Sequence, residues 1–88
     1  MIEVGYSQEF IRVYEKLSND VKQEAKEKIV LFKHRANHKS LRVHKLHGKY
    51  ADYWSFSISY RYRILFQYRG KKKESVILHT IGDHSVYD

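Results

Sequence analysis

The sequence predicts an α+β fold in which an N-terminal strand and a two-helix hairpin pack on one face of a twisted antiparallel sheet. Three observations predict it. Apolar residues recur with a helical period only between residues 7 and 36, they alternate with a period of two before and after that window, and no proline interrupts either pattern.

"IEVGY" sets Ile2, Val4 and Tyr6 against Glu3 and Gly5, the alternation of a short half-buried strand. Ser7 then reads as an N-cap, and Phe10, Val13, Tyr14 and Leu17 follow on one helical face. "SNDVKQ" ends that helix and offers Asn19 or Asp20 as the next cap. Val21, Ala25, Ile29, Phe32 and Ala36 form the stripe of a second helix, with Lys22, Lys26, Glu27 and Lys33 turned to water. "RANHKS" is a connection. Beyond it "LRVHKL" carries Leu41 and Val43, "YWSFSIS" sets Trp54, Phe56 and Ile58 against serines, and "YRILFQY" sets Tyr62, Ile64, Phe66 and Tyr68 against Arg63, Leu65 and Gln67. Such clean alternation favours antiparallel strands with one face on a core. "RGKKKE" reads as a hairpin loop whose three lysines are most simply solvated, with a phosphate contact as the alternative, and "SVILHTIG", apolar on both parities, as an interior strand. Helices on one side leave the opposite side of the sheet for binding.

A chain of 88 residues is expected to form one domain, residues 1–88, because a core of this size buries only about two-thirds of the surface its unfolded chain exposes. Without cysteine there is no disulfide framework, thiol nucleophile or thiolate metal site. No apolar leader or long apolar run occurs, so a cytoplasmic protein that makes no membrane contact is expected. Seventeen Lys and Arg against ten Asp and Glu give a net charge of +7 and a pI near 9.7. That balance points to a polyanionic partner, nucleic acid above all.

Three clusters carry chemistry: "HKLHGK" with Lys45, His47 and Lys49, "YRYR" with Arg61 and Arg63, and "GDHSVY" with Asp83, His84 and Tyr87. Cleaving RNA without a metal requires a base for the 2′-hydroxyl, a cation over the pentavalent phosphate and an acid for the departing oxygen. Imidazole suits the proton transfers because it titrates near neutral pH. Guanidinium suits the phosphate because its planar fork meets two oxygens at once, and a phenol stacks under a base or donates to one. Each residue also has a structural alternative. Arg63 could pair with a carboxylate, His84 beside Asp83 could fold back the tail, and Tyr87 could cover a sheet edge. His79 lies within the last strand on the parity of Ile77 and Ile81, which suits a hydrogen-bonded sheet histidine before a catalytic one. His34 and His38 are four residues apart but have no carboxylate to complete a ligand set, so neither metal nor cofactor is expected.

The succession of short strand, helical hairpin, "KLHG", "YRILF" and "IGDHSVY" resembles the RelE/ParE superfamily of type II toxin components over essentially Ile2 to Tyr87. The resemblance implies a compact toxin neutralised in a hetero-oligomer by an antitoxin with an acidic, partly disordered segment. In the RelE-like branch it further implies an endoribonuclease that cuts mRNA on the ribosome by metal-free 2′-hydroxyl attack. Carried over by position, Arg63 is the phosphate-stabilising arginine, His84 stands where a basic or imidazole group serves the leaving oxygen, and Tyr87 is the orienting C-terminal aromatic. Lys45, His47, Lys49 and Arg61 then line the RNA groove, with His79 and Asp83 as auxiliaries. One departure stands out: where RelE-like members carry strand lysines, this chain has Trp54 and Phe56. The general base is therefore unassigned, and His47, His79 and Asp83 are the substitutes at hand. The alternative is the ParE-like branch, which shares the fold, lacks the ribonuclease residues and inhibits DNA gyrase.

Overall fold

A computed structural model of the chain describes residues 1–83. Strand β1 (Glu3–Tyr6) leads into helices α1 (Gln8–Glu15) and α2 (Asn19–Phe32), and four strands follow: β2 (His44–Lys45), β3 (Trp54–Ser57), β4 (Tyr62–Arg69) and β5 (Ser75–Asp83). Short 3-10 turns at Arg35–Asn37 and Gly48–Tyr50 interrupt the connections.

Both helices begin on a serine. The Ser7 hydroxyl accepts from the Phe10 N–H (3.0 Å), as the sequence predicts, whereas α2 is capped by Ser18, which accepts from the Val21 N–H (3.4 Å). Asn19 and Asp20, the expected caps, instead lie in its first turn. The helix stops at Phe32 and not at Ala36, because side chains beyond it take the carbonyls that a helix end leaves without partners. Asn37 Nδ2–H donates to the Leu31 carbonyl (2.9 Å) and His38 Nε2–H to the Phe32 carbonyl (2.7 Å). His34 and His38 are therefore not an i,i+4 helical pair.

The strands form one sheet in the order β1-β5-β4-β3-β2. All neighbours are antiparallel except β1, which runs parallel to β5 from Glu3↔Ser75 to Tyr6↔Leu78. The sheet is thus mixed at one edge. Side-chain alternation is the same for either strand direction, so the sequence pattern could not have shown this.

Helices cover one face. Phe32 stacks on Phe56 (ring centroids 4.3 Å apart) and meets Phe66 edge-on (4.9 Å), and around them gather Phe10, Ala25, Ile29, Ile64, Val76, Leu78 and Ile81. Parity holds along β3 and β4 but slips in β5. Phe66 pairs with Leu78 and Leu65 with Thr80, which leaves His79 as the extra residue of a β-bulge. The bulge lets Val76, Leu78 and Ile81 all face the helices, while Ile77, His79 and Thr80 face away. His79 therefore shares a side with Ile77 but not with Ile81.

The far side of the sheet is not bare. Leu46, Ser55 and Leu65 are buried there outside the main core. The segment between β2 and β3 lies across them, tied by the Leu46 N–H to the Tyr53 carbonyl (3.0 Å) and by Gln67 Nε2–H to the Asp52 carbonyl (3.2 Å). Among the described residues no helix is long and apolar enough to cross a membrane.

Candidate functional site

Arg63 stands on the face of the sheet away from the helices, since its neighbours Tyr62 and Ile64 pack into the core. Its partners across the sheet are Ser57 on β3 and Gly82 on β5. With Arg42, Ser57, Ser59 and Tyr60 it lines a polar pocket of about 330 Å³. Tyr60 is almost wholly exposed, at 95%, so the pocket has an aromatic group at its mouth. Ser59 shapes the turn between β3 and β4 by accepting through its hydroxyl from the Arg61 and Tyr62 N–H groups (3.2 and 3.1 Å).

Arg42 reaches this pocket through an unusual backbone. Its φ of 58° lies in the left-handed region, which costs a non-glycine residue roughly 1–2 kcal/mol. The turn is held by the Val43 N–H on the His38 carbonyl (3.0 Å) and by His44 Nδ1–H on the Arg42 carbonyl (2.7 Å). The adjacent Leu41 is buried and Val43 packs against the core, so the turn is anchored on both sides of the arginine. Two guanidiniums, two hydroxyls and a phenol around one opening make a receptor for a tetrahedral oxyanion.

Farther along the same face, His79 Nε2–H donates to Gln67 Oε1 (2.9 Å) and the ring meets Tyr53 edge-on at 5.2 Å. The Ser7 hydroxyl that caps α1 also donates to the His79 carbonyl (2.9 Å), fixing the bulge to the helix layer. A second pocket of about 320 Å³, of mixed lining, opens here between Glu9, Tyr50, Tyr53, Leu65, His79 and Thr80. His79 is thus on the side of Arg63, with one ring nitrogen engaged by the sheet.

The other predicted residues are placed unevenly. Lys45 pairs with Trp54, a residue of the helix-covered face, so the register sets it on the side opposite Arg63. His44, opposite Ser55, is the β2 residue on the Arg63 side. His47 and Lys49 are exposed in the covering segment, where the Lys49 ammonium lies 5.2 Å from the Tyr50 ring centre. Arg61 Nε–H donates to Asp83 Oδ2 (3.2 Å), joining two predicted residues to each other. His84 and Tyr87 lie outside the described residues. Trp54 and Phe56 point into the helix-side core, and the β3 residues facing Arg63's side are Ser55 and Ser57. No cation or imidazole of β3 itself faces the pocket.

Arg42, Ser57, Ser59 and Tyr60 were not singled out from sequence. Arg42 stands between two apolar residues, Leu41 and Val43, but it lies in a left-handed turn before β2, where strand alternation does not fix a side chain's direction. The others depend on the β3–β4 turn, which no motif marks.

These features of fold and pocket can now be set beside known proteins. The sequence profile of the ParE-like toxin domain matches residues 19–87. The chain belongs to the ParE-like toxin domain family. It is a toxin of the RelE/ParE superfamily of type II systems that its motifs resemble. The whole fold is similar to YafQ from E. coli strain BL21(DE3), with a TM-score of 0.74 at 12% identity over 98% of this chain and 97% of that one. It is similar to the archaeal RelE–RelB complex from Pyrococcus horikoshii OT3, with a TM-score of 0.71 at 13% identity over 93% of each chain. The intact E. coli RelBE toxin–antitoxin complex gives 0.69 at 20% identity over 94% and 96%. No curated protein sequence matches the toxin domain significantly.

Proposed function

We propose that this toxin domain is an endoribonuclease that cleaves mRNA, on the ribosome, by attack of a 2′-hydroxyl on the adjacent phosphate. The observation that carries the reading is the Arg63 pocket: a guanidinium on the side of a rigid strand away from the helices, with Arg42, Ser57 and Ser59 around it. In this reading Arg63 and Arg42 take the nonbridging oxygens as charge builds on them, and fixed donors of this kind are worth roughly 10²–10³ in rate. His84, two residues after the strand partner of Arg63, protonates the departing oxygen, and Tyr87 orients the substrate. Proton abstraction falls to His79 or His47, which His79→Ala and His47→Ala separate by which one slows cleavage.

Wild-type protein and the Arg63→Ala and His84→Ala variants are expressed in turn, and primer extension is run on ribosome-bound transcripts. Cuts are expected with wild type and lost with either variant. Intact transcripts in all three, together with stalled DNA gyrase, would establish the ParE-like reading instead. Two observations favour that second reading: the matching profile is the ParE-like one, and Ser55 and Ser57 hold the β3 positions that face the pocket.

The same proposal includes an antitoxin. Its docking is supported by an apolar groove of about 520 Å³ between the two helices, lined by Tyr6, Phe10, Ile11, Tyr14, Ile29 and Val30. Ile11 and Val30 are 47% and 59% exposed, so an apolar helix face of the partner would remove them from water. Binding there depends weakly on salt. An antitoxin seated on the basic pocket would instead be displaced by salt, and titration at two ionic strengths distinguishes the two.

A further inference from the structure

We propose that the end of the sheet far from Arg63 is a second phosphate-binding surface, which holds the backbone of an RNA segment separate from the one at the cleavage pocket. Arg69 is six residue steps along β4 from Arg63, a separation of roughly 20 Å at strand rise. At that far end Arg69, Lys71, Lys72 and Lys73 from the β4–β5 turn meet Lys33 and Arg35 from the end of α2. All but Lys73 border two adjoining depressions of about 780 and 430 Å³. Glu74 and Glu3 are the carboxylates that share them, so cations outnumber anions there.

A run of lysines on a hairpin tip would ordinarily be a solvated feature. This one is braced. Arg35 Nη2–H donates to the Lys73 carbonyl and lies 3.5 Å from the Lys72 carbonyl, which clamps the end of α2 to the turn. Lys73 has a left-handed backbone, with φ of 55°. Its ammonium lies 5.0 Å from the Trp54 ring centre and 5.3 Å from that of Tyr68. Burial raises the Tyr68 hydroxyl above its ordinary range while the Arg35 charge pulls it down, so the two elements also sense each other electrostatically. With Arg35 and Lys73 committed to holding the turn, the exposed Lys71 and Lys72 are presented together on a fixed backbone.

Adjacent lysines on a braced backbone suit phosphates, whose spacing along a strand is regular. Each phosphate contact contributes about 0.7 to the slope of log affinity against log salt for a single strand. The proposal does not depend on cleavage, since it concerns binding at a surface remote from Arg63.

The test uses purified full-length protein and a 2′-O-methyl oligoribonucleotide of about 20 nucleotides, which cannot be cut by 2′-hydroxyl attack, with fluorescence anisotropy read across salt concentrations. Lys71→Ala/Lys72→Ala is expected to reduce the salt slope by about 1.4, so that between about 50 and 200 mM salt wild type loses roughly sevenfold more affinity than the variant. Lys71→Arg/Lys72→Arg should keep the wild-type slope. Arg63→Gln should leave the lysine effect in place while abolishing transcript cleavage. Failure of cleavage alone thus strikes the endoribonuclease reading and failure of the lysine effect alone strikes this one. Unchanged slope and affinity in Lys71→Ala/Lys72→Ala would overturn the proposal, as would a loss confined to a polyglutamate peptide, which would assign the surface to an acidic protein.

Discussion

The two faces of the sheet solve different problems with the same strands. On the helix side, Phe32, Phe56 and Phe66 interlock with ring centroids within 5.8 Å, and Ile64, Val76, Leu78 and Ile81 are buried beside them. On the other side, among the described residues, the centre is closed where the segment from Leu46 to Tyr53 lies over Leu65 and Ser55. Arg63, Ser57 and Thr80 flank that centre. The contrast teaches that the packed face of β4, helped by Leu65 and Gln67 at the centre of the other, fixes the strand so that Arg63 near its start can present a charge.

The largest effect is expected where that division is attacked from the packed side. Phe32→Ala removes the ring that touches Phe56, Phe66 and His38 at once. Such a truncation costs about 3–5 kcal/mol, against a total of about 5–15 kcal/mol for a domain. Urea unfolding should show the midpoint falling steeply with little change in m. A loss below about 1 kcal/mol would mean that the two faces share the burden of stability.

Arg63→Ala comes next and should reverse the pattern. Cleavage of ribosome-bound transcripts should drop by about 10²–10³-fold, while the urea midpoint moves by the equivalent of about 1 kcal/mol or less. Equal losses of stability and activity would make Arg63 part of the scaffold and erase the distinction drawn between the faces.

How far the sequence could anticipate this division follows from what periodicity encodes. Alternation in Trp54-Ser55-Phe56-Ser57 and in Tyr62 through Tyr68 assigned the two faces of β3 and β4, because burial repeats every second residue. It could not show the bulge at His79, which shifts parity by one without changing composition, and so Ile81 and His79 seemed to share a side. Nor could it show the parallel pairing of β1 or the cover formed by Leu46, Tyr50 and Tyr53, since both depend on where chain segments meet in space. Arg63 was legible as a polar residue among apolar neighbours. Arg42 was harder because its placement rests on a left-handed turn, a conformation for which Arg carries no sequence signal. His84 and Tyr87 were named from motif alone and lie outside the described residues.

A smaller effect should appear where the helix layer is tied to the bulge. Ser7→Ala removes both the α1 cap and the hydrogen bond to the His79 carbonyl. About 1–2 kcal/mol of stability should be lost. Hydrogen exchange should report it in the first turn of α1 and at the bulge together. Faster exchange at the helix alone would show that Ser7 caps α1 without bracing His79's side of the sheet.

The smallest effect is expected for the Arg61–Asp83 pair at the end of the sheet, where Asp83 lies opposite Tyr62 on the helix-side parity. The Arg61 side chain is 70% exposed and the carboxylate of Asp83 33%, so water and salt screen the contact, and pairs of this kind contribute about 0.2–1 kcal/mol. A double-mutant cycle of Arg61→Ala and Asp83→Ala should return a coupling in that range that shrinks with added salt. Removing Asp83 alone takes a negative charge from the side chain of Arg61, so RNA affinity should rise slightly in Asp83→Asn while stability barely moves. If instead the coupling exceeds about 2 kcal/mol and resists salt, the pair is part of the framework that fixes the end of β5, and the helix side's structural weight extends to the last residue of that strand.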